Sequence, residues 1–177
     1  MTSEQTAEDD RLPIPAPGGE KSDVLARSKS NAAARTAALD CVDAFLKTVG
    51  YKNSDEITDP AGWRHIKLGS AAGRVGVVHD DSDLYLVVDA QVMPLPSDKE
   101  LILPLMRELL EFNVGIPTPA RVGIQEDVVV AALVRDLDDL QQSDIPKSIH
   151  CVMSLADRLD DALVEKYSGT AKARHRP

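Results

Sequence analysis

The chain has 177 residues, of which 43% are hydrophobic and only 3% aromatic, and its formal net charge is −9. This size and apolar content suit one globular domain with an aliphatic core, burying roughly 70% of the surface exposed by the unfolded chain. So few rings and so much negative charge exclude a base-stacking platform for single strands, and argue against binding nucleic-acid phosphates or anionic membranes.

The chain opens with MTSEQTAEDDRLPIPAPGGEK, acidic and punctuated by Pro13, Pro15, Pro17 and Gly18-Gly19. Residues 1–21 lack the apolar content to offset the entropy of ordering and are expected to form a flexible tail. They contain no basic stretch followed by an apolar run, so no secretory leader is expected. A first helix is predicted from about Ser22 or Ser30 to Val49. Leu39, Val42, Phe45, Leu46 and Val49 recur at helical spacing, and Gly50 is placed to stop it.

After a loop punctuated by Pro60-Ala61-Gly62, three short strands are predicted: WRHIKLG (63–69), RVGVVH (74–79) and DLYLVVDAQVM (83–93). The turns between them are short enough for hairpins, so they should form an antiparallel meander. A second helix follows, with Ser97 and Glu100 as a capping box and Pro104 bending it. At about 100° per residue, its apolar side chains from Leu101 to Val114 spread over an arc of about 220°, far wider than packing on one core requires. Strands ARVGIQ and DVVVAALVRDL come next, paired through a tight turn near Gln125–Asp127. The last helix runs from about Asp144 to Tyr167, with Asp144 as N-cap and Ile149, Val152, Ala156, Leu159 and Leu163 in one stripe. Residues 22–169 therefore form the single domain, and 170–177 a short basic tail.

The run from Val128 to Val134 is apolar at every position, where a half-exposed strand should alternate. Either both faces of the sheet are covered within one chain, or one face and the broad second helix meet another subunit. The wide arc favours the second reading, and a twofold dimer is the commonest such assembly.

No residue pattern names a reaction. The acidic HDDSD stretch (79–83) lacks the glycine and distal glutamate of a calcium loop. His65 and His79 lie on neighbouring strands but lack further zinc ligands. Asp157, Asp160 and Asp161 are expected on a solvated face with Arg158. Cys41 and Cys151 fall at the margins of helical stripes without CxxC spacing, pointing to small core-edge residues in a reduced, cytoplasmic chain. No GxSxG, GxGxxG or phosphate-binding loop is present. No catalytic residue, metal or cofactor is expected.

The order α-β-β-β-α-β-β-α on a small acidic chain resembles the type III secretion chaperone-like fold, which includes the YbjN-like family. The local likeness lies in LILPLMRELLEFNVGIPTPARVGIQEDVVVAALVRDLDDL (101–140): an apolar helix ending L-L-x-x-N (Leu109, Leu110, Asn113), a short strand, an acidic turn, then a long apolar strand. The resemblance implies an α+β domain with a five-stranded antiparallel sheet and three helices. It implies a non-enzymatic homodimer that holds a client polypeptide on apolar patches, partly by adding strands to sheet edges. Carried onto this sequence, Leu105, Leu109, Phe112, Val128, Val130 and Ala132 become the expected dimer contact. Ile66, Leu68, Val75 and Val77 become the expected client-facing sheet. The alternative is an enzyme or small-ligand binder with a cleft between the last helix and the sheet.

Overall fold

The computed structural model describes residues 20–80 and 83–167, with side chains from Ser30 onward. The expected tails lie almost wholly outside the described residues, as do Asp81 and Ser82 of the acidic hairpin. The chain forms α1 (Glu20–Thr48), β1 (Arg64–Leu68), β2 (Ala71–Asp80), β3 (Asp83–Pro94), α2 (Lys99–Gly115), β4 (Arg121–Gln125), β5 (Val128–Asp136) and α3 (Asp144–Tyr167). A single 3-10 turn at Asp55–Ile57 was not expected from sequence. The strands form one sheet in the order β1-β2-β3-β5-β4, with every neighbouring pair antiparallel. This is the α+β fold and element order expected from the sequence.

Side chains along a strand alternate between faces, and the burial pattern follows that period. In β3, Leu84, Leu86, Val88 and Ala90 are buried, whereas Tyr85, Val87 and Asp89 are half-buried and Gln91 is exposed. In β5, Val129, Ala131 and Leu133 are buried, and Val128, Val130 and Ala132 are half-buried. All three helices lie on the buried side. Val42 and Leu46 of α1 join the core with Ile149, Val152, Met153 and Ala156 of α3, and with Leu105 and Leu109 of α2. The close approach of α3 requires a bare backbone at Gly73, where a Cβ would stand 2.9 Å from the Met153 sulfur and 2.4 Å from the Asp89 carbonyl oxygen.

Local chemistry explains the element ends. Gly50 takes φ +105, and the Tyr51 N–H reaches back to the Leu46 carbonyl at 3.0 Å, which closes α1. The cap of α2 is Asp98, not Ser97: its side chain accepts from the Glu100 N–H at 3.0 Å, and the helix begins at Lys99. Pro104 is exposed and α2 continues through it to Gly115. Asp144 is the first residue of α3, and its carboxylate pairs with Lys147 at 2.9 Å. A register shift between Gln91 and Met93 puts both Val92 and Met93 in the core. The β4–β5 turn sets Glu126 at φ +54, a left-handed conformation usually left to glycine.

Polar ties fix the helices to the sheet. Arg64 grips Asp43 of α1 with two bonds, 2.9 Å from Nε to Oδ1 and 3.1 Å from Nη2 to Oδ2, while its Nη1 donates to the Gly62 carbonyl at 3.0 Å. Arg64 is itself buried. Asp157, expected on a solvated face, instead takes the Ser70 N–H at 2.9 Å and the Ser70 hydroxyl at 2.6 Å, pinning the β1–β2 turn to α3. Glu108 of α2 accepts from Lys166 at 2.5 Å and from the Tyr167 hydroxyl at the end of α3.

Removing one partner of a buried bidentate pair strands the other charge, so Asp43→Ala should lower the unfolding free energy by about 3 kcal/mol. Urea denaturation measures this; a loss below about 1 kcal/mol would mean that water replaces the carboxylate without penalty. The hydrogen bonds from Ser70 hold the Asp157 carboxyl below the usual 3.8, and those from Lys166 and Tyr167 hold Glu108 below the usual 4.5. Both are depressed acids, so their contribution is complete above those ordinary values and disappears as pH falls through the lowered ones. The urea midpoint should therefore hold level on the neutral side of about pH 5 and decline below it. The decline should be shallower in Asp157→Asn; equal slopes in the two proteins would show that the tie to Ser70 carries no acid dependence.

Candidate functional site

With the helices on one side, the opposite face of the sheet is left uncovered among the described residues. Its β5 row is aliphatic: Val128, Val130, Ala132 and Val134 follow one another along the strand, with Val87 of β3 paired across to Val134. Val134 is 60% exposed, a high value for a valine in mid-strand. The apolar run of β5 thus has two destinations: alternate residues enter the core, and the rest form this open face.

On the β1–β2 side, the face becomes polar. Trp63, the chain's one tryptophan, lies over Gly76, where a Cβ would come within 2.8 Å of the indole ring. The Arg74 guanidinium stacks on that indole at 4.4 Å from the ring centre and bonds Asp89 across the strands, Nε to Oδ2 at 2.9 Å. His65 sits beside Arg74 in register and bonds Asp59 at 2.9 Å. That bond and the Trp63 and Ala61 N–H groups hold the Asp59 carboxyl below its ordinary range. A hollow of about 540 Å³ opens between His65, Lys67 and Arg74 on one side and Val128, Val130 and Glu126 on the other.

A second apolar surface runs along α2. At about 100° per residue, Leu105, Leu109 and Phe112 fall within about 60° of one another, while Leu103, Leu110 and Val114 fall within about 40° on roughly the opposite side. The first group packs inward. Leu103, Leu110 and Val114 are 75%, 67% and 89% exposed. The broad arc read from the sequence is therefore two stripes back to back.

This geometry redistributes the expected contact residues. Leu105 and Leu109, expected at a dimer contact, are spent in the chain's own core, and Phe112 is half-buried against it. Val128, Val130 and Ala132 lie on the open face and remain available there. Ile66, Val75 and Val77, expected to face a client, point under the helices and are buried; Leu68 is half-buried on the same side. Their alternation was legible, but not which phase met the helices. The sequence reading missed Leu103, Leu110, Val114 and Val134 as the exposed members of the same apolar segments, and Trp63 as part of the open face.

The other candidate sites disperse. By register, His65 belongs to the open face and His79 to the helix-covered side, so they do not converge. Among the described residues, no cluster of His, Cys, Asp or Glu could hold a metal ion. Cys41 and Cys151 are half-buried free thiols. The junction of α3 and the sheet, expected as a possible cleft, is filled by Ile149, Val152 and Met153, and the hollow lies across the sheet from it.

Both edges of the sheet are closed by side chains. On β1, the Tyr51 hydroxyl accepts from the Lys67 N–H at 2.5 Å and donates to the Lys67 carbonyl at 3.1 Å. Upstream on the same edge, the Asp59 N–H donates to the Trp63 carbonyl at 2.9 Å and Thr58 bridges Arg64. On β4, the Asn113 carboxamide donates to the Val122 carbonyl at 2.7 Å and accepts its N–H at 2.8 Å, in the manner of a neighbouring peptide unit. The asparagine of the L-L-x-x-N pattern is therefore an edge cap. A strand added at β4 would have only Ile124 left between this clamp and the hairpin turn.

No family model matches the chain, and no curated protein matches it in sequence. Solved structures do resemble it. A chain of the ExsC–ExsE complex superposes with a TM-score of 0.53 at 11% identity, covering 73% of this chain and 95% of that one. A chain of the HopA1–SchA chaperone–effector complex gives 0.52 at 11% identity, covering 72% and 95%. YbjN from E. coli, described as a putative transcription regulator, gives 0.48 at 14% identity, covering 73% and 93%. The likeness is one of fold: this chain has the α+β architecture of the type III secretion chaperone-like proteins.

Proposed function

We propose that this chain is a non-enzymatic, chaperone-like binding domain of the cytoplasm, a homodimer that holds a partner polypeptide on its apolar sheet and helix surfaces. The observation that carries the reading is the open sheet face, where Val128, Val130, Ala132 and Val134 form an aliphatic row that no helix among the described residues covers. An apolar row of this kind on a soluble domain marks a contact surface. The outward stripe of α2, Leu103, Leu110 and Val114, supplies a separate surface suited to a second copy, because a twofold axis pairs one stripe with itself. The complex of SchA with HopA1 is one of chaperone and effector, so the same architecture elsewhere accompanies partner binding. The reading needs no cofactor, because burial of aliphatic surface and shape complementarity supply the affinity.

The test compares the full chain purified from its own cell with Val134→Asp and Leu110→Asp, both at exposed positions where the fold should survive. Light scattering should give twice the 19.1 kDa chain mass for the parent and for Val134→Asp, and a monomer for Leu110→Asp. Mass spectrometry should find a polypeptide bound to the parent and lost from Val134→Asp, with circular-dichroism melts unchanged. A 19.1 kDa parent carrying no partner that depends on Val134 would refute the reading.

A further inference from the structure

The closed edges and the open face together constrain what kind of segment can bind. An extended segment gains most of its affinity from a sheet by pairing its backbone with a free edge. Here the Tyr51 hydroxyl occupies both outward groups of Lys67, and the Asn113 carboxamide occupies both outward groups of Val122. The face offers side chains and no ladder of backbone groups. A strand lying on it would leave its own N–H and C=O groups without protein partners while being pressed against valines. A helix satisfies those groups internally and presents an apolar stripe, which is how α1 and α3 already cover the other side of this sheet.

We propose that the occupant of the open face is an amphipathic helix of the partner polypeptide, with its apolar stripe on Val128, Val130, Ala132 and Val134 and acidic side chains along the flank that meets His65, Lys67 and Arg74. The inference rests on the protein-binding reading above. The charge of the face specifies the flank. On a chain of net charge −9, the β1–β2 side of the hollow carries His65, Lys67 and Arg74; Arg74 is bonded to Asp89 and His65 to Asp59, so Lys67 is the cation there with no carboxylate bonded to it among the described residues, and Glu126 stands on the opposite rim. The small residues of the face, Ala72, Gly123 and Ala132, let a helix lie close over the strands. The resulting complex has three layers, helix on sheet on helix.

Trp63 lies on this face and is the only tryptophan, so its emission reports binding there directly. The full chain is titrated with three synthetic peptides about 20 residues long, sufficient for a stable helix. One carries a Leu/Ala stripe flanked by glutamates, the second the same stripe flanked by lysines, and the third the glutamate version with two central prolines. The glutamate helix should shift Trp63 emission saturably, the lysine helix should bind about fivefold more weakly in low salt, and the proline peptide should not bind. Val130→Asp should abolish the response, and Lys67→Glu should erase or invert the preference between flanks. Equal binding of the proline and glutamate peptides, equal binding of both flanks, or no response to any peptide would each overturn the proposal. If a polypeptide still co-purifies through Val134 in that event, the binding reading stands and only the helical, acid-flanked occupant falls.

Discussion

An antiparallel sheet sends alternate side chains to opposite faces, and this chain commits all three of its helices to one of them. The burial pattern of β3 and β5 follows from that placement. Half of their side chains close a core with α1 and α3, and the other half face away from the helices, with no element beyond the sheet covering them among the described residues. A domain meant to stand alone would place polar residues there. This one places valines along β5 and polar side chains to either side of them: Trp63, Arg74 and Asp89 pack on one another toward β1, and Arg121 and Gln125 stand on β4. The division between core and open face is therefore set by the period of the strand.

The secondary elements and their order were legible because each is long or strongly patterned, and because the hairpin turns are short. The unbroken apolar run of β5 was also legible, and so was the excess apolar arc of α2. Phase was not. Whether Leu105 and Leu109 or Leu103 and Leu110 turn inward depends on how α2 is rotated about its axis. That rotation is set by Asn113 clamping Val122 and by Glu108 reaching Lys166 and Tyr167, contacts between residues distant in sequence. The same limit put Ile66, Val75 and Val77 on the wrong face. Asp157 was misread for a related reason: its partner, Ser70, lies 87 positions away. The cap at Asp98 is a closer miss, in which a carboxylate one residue beyond Ser97 took the helix N-terminus.

Edge and face make different demands on a partner. A free edge recruits backbone, which every polypeptide carries, and is hard to make selective. A face recruits side chains, and discrimination then rests on shape and charge. Tyr51 and Asn113 remove most of the unselective option, and they do so with single side chains where other proteins use an extra strand or a bulge. The cost is small, since each polar group satisfies two backbone groups that would otherwise need water.

The carboxamide of Asn113 can serve Val122 only because it presents a donor and an acceptor side by side. Hydrolysis of that one amide to a carboxylate would replace the donor with a second acceptor and set it against the Val122 carbonyl. The covalent change is minute, yet it would unlatch β4 from α2 at Val122. One atom of that carboxamide thus decides whether the outward groups of Val122 are closed off or left free.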